Sequence, residues 1–235
     1  MSLQFHSMLF HDRTDAGRQL ASLLRAYANR PDVLVLGLPR GGVPVAAEVA
    51  RALNVPLDVF VVRKLGVPGE EELAMGAVAS GGIRVLNEEV VRALKVTPEE
   101  VERVTASELL ELERRERLYR QGRPPSNVRG QIVLLVDDGL ATGSTMRAAA
   151  AALRQMNPAR IIAAAPVGSP NACGDLRSAV DEVVCAETPA DFQAVGQFYQ
   201  DFGQASDDEV RDLLEKHPAV SRQPPAEALQ CHTDD

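Results

Sequence analysis

Apolar and polar positions along this chain follow two rhythms. Short runs that are apolar at nearly every position recur at Asp32 to Leu38 (DVLVLGL), Leu57 to Val62, Gln131 to Val136 and Arg160 to Val167 (RIIAAAPV), with a shorter one at Glu182 to Ala186. Such runs suit strands buried on both faces of a parallel sheet. Between them lie stretches with helical spacing. Leu20, Leu23, Leu24 and Tyr27 share one face of a first helix capped by Thr14 or Asp15, and Asn29 with Pro31 stops it. Val43 to Leu53, Met146 to Met156 and Asn171 to Ala179 read as further helices, the first tolerating Pro44 in its opening turn. Strands and helices joined by short connections predict an α/β fold with an open, mostly parallel sheet flanked by helices.

Other segments break this alternation. Ala77 to Ala79 and Ile83 to Leu86 flank Ser80-Gly81-Gly82, a small antiparallel hairpin. Leu65 to Glu72 before it reads as a loop, which leaves Arg63 and Lys64 at the carboxyl end of the preceding strand. Thr97-Pro98-Glu99-Glu100 is a capping box that opens a long helix. Its acids come early (Glu99, Glu100, Glu102, Glu108, Glu111) and its arginines late (Arg114, Arg115, Arg117, Arg120), in the order the helix dipole favours, so it reads as a solvated helix. Gly122 to Gly130 is a linker. Asp191 to Phe202 holds Phe192, Phe198, Tyr199 and Phe202, four of the nine aromatic residues, and is marked for packing or stacking. Ser206 caps a last helix to Lys216. Residues 12–216 are expected to form one domain, and the polar, Pro-rich 217–235 a disordered tail.

Composition narrows the functional classes. A length of 235 residues suits a single domain, and 45% hydrophobic residues supply a full core. The net charge of −8 argues against nucleic acid as a partner. Cys173, Cys185 and Cys231 are odd in number, widely spaced and without a CxxC pair, which argues against a disulfide framework or a zinc site and for a reduced cytoplasm. His6, His11, His217 and His232 lack metal-ligand spacing and read as surface residues. The first fifteen residues do not resemble a signal peptide. No apolar run approaches the ~20 residues that span a bilayer, so no membrane partner is expected.

The chemistry concentrates in Gln131 to Thr145, QIVLLVDDGLATGST. A buried strand runs into Asp137 and Asp138, at the sheet end where open α/β folds bind ligands. Small and hydroxyl residues then open a helix, whose free N–H groups and dipole suit a phosphate. Acceptors for hydroxyls and donors for a phosphate lie within a few residues, and a sugar phosphate presents both. Three rival motifs fail on a required atom. A P-loop needs a lysine that is missing, no GxSxG string occurs, and a DxDGT phosphatase needs its nucleophile where Val136 stands.

VLLVDDGLATGST resembles the phosphoribosyl-diphosphate (PRPP) signature of type I phosphoribosyltransferases, and LPRGG at Leu38 to Gly42 resembles that family's pyrophosphate loop. Together with VRKLGVPG at Val62 to Gly69 and DFQAVGQFYQDFG at Asp191 to Gly203, they are similar to a bacterial branch of poorly defined substrate, over about Asp12 to Lys216. The resemblance assigns Asp137 and Asp138 to the ribose hydroxyls, and Ala141, Thr142, Gly143, Ser144 and Thr145 to the 5-phosphate. Arg40, Gly41 and Gly42 would meet pyrophosphate, with Lys64 as a second cation. Phe192, Phe198 and Tyr199 would belong either to the core or to a hood over the acceptor base. No protein metal site is implied; Mg²⁺ would be held mainly by PRPP. Hypoxanthine-guanine enzymes carry an acid where this chain has Ala141, so neither a base nor a general base is named.

The implied activity is transfer of a phosphoribosyl group from PRPP to a nitrogen acceptor such as a nucleobase, releasing pyrophosphate. A PRPP-sensing regulator without turnover and a hydrolase acting on a phosphorylated ribose stay open as alternatives. A homodimer is compatible with the fold.

Overall fold

The computed structural model describes residues 9–217. The expected tail lies outside these residues except for His217, as do His6, His232 and Cys231. Helix α1 (Arg13–Leu23) leads into β1 (Val33–Gly37), α2 (Gly42–Leu53) and β2 (Leu57–Val59). β3 (Val62–Val67), β4 (Glu70–Ala79) and β5 (Ile83–Leu86) follow, then α3 (Glu88–Ala93) and α4 (Pro98–Arg120). The second half runs β6 (Ile132–Val136), α5 (Ser144–Gln155), β7 (Arg160–Val167), α6 (Pro170–Leu176), β8 (Glu182–Glu187) and α7 (Asp207–Lys216). The main sheet is parallel throughout, in the order β2-β1-β6-β7-β8, and β3-β4-β5 form a separate antiparallel sheet.

The apolar runs are continuous because the central strands are covered on both faces. Val33 and Val35 enter one core, with Leu20, Val45, Val49 and Leu112; Leu34 and Leu36 enter the other, with Met146, Leu153 and Leu176. A third cluster joins Phe10, Ala16, Val167, Phe198 and Tyr199. Among the described residues no helix is long and apolar enough to cross a membrane.

Four local expectations are corrected. Asp12, not Thr14 or Asp15, caps α1, accepting from the Asp15 N–H at 2.8 Å, and Leu23 is exposed. The run Leu57 to Val62 is divided between the two sheets. Phe60 N–H still donates to Gly37 O in the first, while Ser80 N–H donates to Val61 O in the second. An unbroken apolar run carried no mark of this because both halves are buried. Leu65 to Glu72 is not a loop but the paired ends of β3 and β4, with register shifts at Gly66 that blur the alternation. Arg63 and Lys64 therefore sit within the small sheet. The far end of α4 is solvated only in part: Arg114 and Arg117 are exposed, but Arg120 is buried, donating to Asp58 Oδ1 at 3.1 Å and to Val59 O at 2.6 Å, which ties the helix to β2.

Also on α4, Thr105 is buried and, among the described residues, its hydroxyl has no hydrogen-bond partner. Thr105→Val keeps the shape and removes the unpaired hydroxyl. It is expected to raise stability by about 1 kcal/mol, read from the urea midpoint at constant m-value.

Candidate functional site

Parallel pairing sets the site. Gly37 aligns with Val136 and Val136 with Ala164, so the carboxyl ends of β1, β6 and β7 lie side by side. The turns leaving them are knitted together. Leu38 N–H donates to Val136 O at 2.9 Å, Asp137 N–H to Ala164 O at 3.2 Å and Leu140 N–H to Val167 O at 2.9 Å. The Pro39 to Gly42 turn, distant along the chain, is thereby brought against the acid pair. The approach leaves no room for side chains. A Cβ on Gly41 would stand 2.0 Å from Asp138 Oδ2, and one on Gly42 would stand 2.7 Å from Val136 O. Gly41→Ala is expected to cost about 1–3 kcal/mol through this overlap. Urea unfolding checks it, and an unchanged midpoint would mean the two turns are not packed as described.

Each carboxyl of the pair has one oxygen committed to the protein. Asp137 Oδ1 accepts from the Asp138 N–H at 2.9 Å. Asp138 Oδ2 accepts a hydrogen bond from Arg13 Nε at 2.9 Å, and Arg13 Nη2 pairs with the same oxygen at 2.8 Å. Among the described residues the other oxygen of each carries no protein hydrogen bond. Burial pushes the Asp137 carboxyl well above the ordinary carboxylate range, and the charge of Asp138 adds to it. Burial raises Asp138 too, and the Arg13 guanidinium offsets part of that rise.

Arg13 is the site residue that sequence reasoning missed. It also donates to Gly203 O at 2.6 Å and lies 4.0 Å over the Phe202 ring. Its position follows from an N-terminal segment that pairs with the aromatic stretch: Leu9 N–H donates to Phe198 O and Gln200 N–H to Phe10 O. Nothing near Arg13 in the sequence signals this. The only available signal was general, that two adjacent acids at the end of a buried strand need a cation.

The aromatic stretch divides. Phe198 and Tyr199 are core residues, at 1% and 2% exposure. Tyr199 packs between Phe10 and Phe202, and its hydroxyl donates to Asp138 O at 2.6 Å. Burial pushes that phenol up, so it stays protonated as a donor. Phe192 is half-buried against Phe198.

Leu140 to Ser144 crosses from the acids to α5. Gly143 caps the helix at φ 66°, a left-handed conformation that glycine adopts without strain. The Thr142 and Ser144 hydroxyls lie 3.1 Å apart, and Ser144 N–H donates to Thr142 Oγ1. Ala141 is exposed, and its carbonyl accepts from Ser169 Oγ at 2.8 Å. Lys64 reaches this turn from β3, donating to Ser144 Oγ at 2.7 Å. Arg40 faces elsewhere, 3.8 Å from Asp207 at the start of α7. The structure thus gathers Gly41, Gly42, Asp137, Asp138 and the 141–145 turn, joins Lys64 to that turn, and leaves Arg40 at its rim. The arrangement offers carboxylate oxygens for a diol beside N–H and hydroxyl donors for an anion.

Known proteins match this chain in sequence and fold. A family model described as the phosphoribosyl transferase domain covers residues 10–202. Two Mycobacterium tuberculosis proteins, each named "Putative phosphoribosyl transferase", are 49% identical over 208 residues, which is 88% of this chain and 47% of theirs. The chain thus spans about half the length of the curated relatives it matches. A crystal structure of a Thermus thermophilus protein, TT1426, superposes with a TM-score of 0.81 at 44% identity, covering 89% of this chain and 99% of that one. With a family model over most of its length and a relative at 49% identity across 88% of it, this chain belongs to the phosphoribosyl transferase domain family.

Proposed function

We propose that this chain binds PRPP with Mg²⁺ and transfers its phosphoribosyl group to a nitrogen acceptor, a nucleobase or a similar base, releasing pyrophosphate. The observation that carries the reading is that Asp137 and Asp138 each keep one unengaged oxygen, a few residues before a glycine-capped helix start. Two carboxylate oxygens accept from a vicinal diol. The 141–145 turn supplies N–H and hydroxyl donors to the 5-phosphate. We assign Lys64 to that phosphate, because its ammonium already bonds Ser144. Gly41 and Gly42 let backbone approach pyrophosphate, and Arg40 at the rim adds a planar cation for it.

With the free carboxylate oxygens given to the diol, Mg²⁺ would take its shell chiefly from substrate oxygens and water. The ion would supply charge neutralisation of the leaving pyrophosphate. Charge building at the ribose C1 would be met by the acid pair, so catalysis is chiefly positioning and electrostatic. The acceptor would lie under the 192–202 segment, with Phe192 the ring left to stack on it. Ala141 offers no proton acceptor, so the acceptor's proton must leave by another route. The working location is the cytoplasm, where PRPP chemistry and free thiols coexist.

Calorimetry with Mg-PRPP, followed by pyrophosphate release against purines, pyrimidines and simple amines, tests the reading. Binding plus release with one acceptor class supports it. Binding without release across the panel would replace transfer by a sensing role. Stronger binding of ribose 5-phosphate than of PRPP would replace it by hydrolysis of a phosphorylated ribose.

A further inference from the structure

Cys173 on α6 and Cys185 on β8 are far from any cysteine framework in sequence, yet their sulfurs lie 2.8 Å apart. Both are free thiols. A Cβ on Gly168, at the turn between β7 and α6, would stand 2.5 Å from Cys173 Sγ and 3.1 Å from Cys185 Sγ, so the pair meets only because that residue is glycine. We propose that Cys173 and Cys185 are an oxidisable dithiol, with a peroxide as its oxidant, that closes to a disulfide behind the phosphate turn.

The sulfurs need to approach by less than about 1 Å to reach a bond of about 2 Å. The two thiols differ in character. The hydrogen bond from Cys185, with the nearby Arg177 cation, lowers the Cys173 thiol. The same bond, with burial, raises Cys185. Cys173 is therefore the more readily ionised of the two and Cys185 the S–H donor to it. The thiolate attacks one oxygen of hydrogen peroxide, the O–O bond breaks, and a sulfenic acid and hydroxide form. The Cys185 sulfur then displaces the sulfenic hydroxyl, which leaves as water with the Cys185 proton, and the proton Cys173 gave up on forming the thiolate neutralises the hydroxide. The sum is two thiols and one peroxide giving one disulfide and two waters. Cys173 is buried and Cys185 half-buried, so a small peroxide fits the role better than a protein disulfide.

Closure has a consequence at the site. Ser169 caps α6 and holds the Ala141 carbonyl at 2.8 Å. Ala172 and Leu176 on the same helix lie where a Cβ of Gly143 would touch them, at 3.5 and 3.4 Å. Drawing Cys173 toward β8 shifts the helix that the turn rests against, and the expected effect is weaker phosphate binding. This consequence rests on the function proposed above; the thiol chemistry does not.

The test uses the full chain as Cys231→Ser, so that only the pair reacts. One equivalent of hydrogen peroxide is expected to remove both thiols and about 2 Da of mass, reversibly with dithiothreitol. Adding Cys173→Ser or Cys185→Ser is expected to abolish that loss of mass. Two surviving thiols, or only oxygen-adduct masses, would overturn the proposal. Affinity for Mg-PRPP is expected to fall several-fold on oxidation and recover on reduction. Equal affinity in the two states would overturn the coupling to the turn. If the reduced protein binds no Mg-PRPP, the functional reading fails while the mass and thiol readouts still decide the dithiol.

Discussion

Arg13→Met is expected to lower folding stability by about 3–5 kcal/mol at neutral pH, the usual consequence of removing one partner of a buried ion pair. The Arg13 and Asp138 side chains are only 13% and 15% exposed. The Nε hydrogen bond and the ion pair to one carboxylate oxygen are lost, with the bond to Gly203 O and the contact on Phe202. Asp138 is left without a cation beside the half-buried Asp137. Its carboxyl then rises further, because Arg13 was the group offsetting burial. The sign follows. At acid pH Asp138 is protonated with or without Arg13, and the variant's deficit is smallest. As pH rises, the variant must ionise an uncompensated carboxyl, and the deficit grows. Arg13→Met with Asp138→Asn removes the charge as well as the cation and is expected to recover most of the loss. Urea unfolding from acid to neutral pH measures all three. A single variant as stable as the parent at neutral pH, or a double variant no better than the single, would sink the account.

Asp137→Asn is expected to act on stability and binding in opposite directions. Burial and Asp138 hold the Asp137 carboxyl raised. A carboxyl raised on folding gives a contribution that is fullest below the ordinary carboxylate range. That contribution is lost as pH climbs through the raised value. The parent should therefore lose stability over that window. The asparagine variant, which never ionises there, should stay flat. Its side-chain oxygen still accepts from the Asp138 N–H, so local geometry is kept. A gain of about 0.5–2 kcal/mol at neutral pH is expected, in keeping with the general trade of stability for activity at strained sites. Under the proposed function the same change weakens Mg-PRPP binding by about ten- to a hundredfold, the worth of a hydrogen bond to a charged acceptor. Calorimetry beside the unfolding series reads both. A variant less stable than the parent, or one that binds PRPP equally well, would remove Asp137 from the role given to it.

Both predictions concern groups whose environment had to be seen in three dimensions, yet much around them was legible beforehand. The strands β1, β6 and β7 were readable because burial on both faces demands apolar residues at every position. The caps Thr97 and Ser206 were readable because each acts within three residues. The division of Leu57 to Val62 was not, since a run shared between two buried sheets looks like one strand. Nor was the pairing of β3 with β4, where glycines and shifted register erase the period of two.

By itself the sequence determined the strand–helix order, the acid pair, the glycine-bearing turn at 141–145 and the family they resemble. Each is local: apolar period, capping chemistry and turn geometry act over a few residues and are written contiguously. Only the tertiary structure decided that Arg13 neutralises Asp138 across 125 residues, that Lys64 serves the 141–145 turn, that Tyr199 is core, and that Cys173 meets Cys185. A partner for a buried charge or thiol is chosen by proximity after the chain has closed on itself. Sequence separation carries no record of that choice, because parallel pairing brings together turns that are distant along the chain.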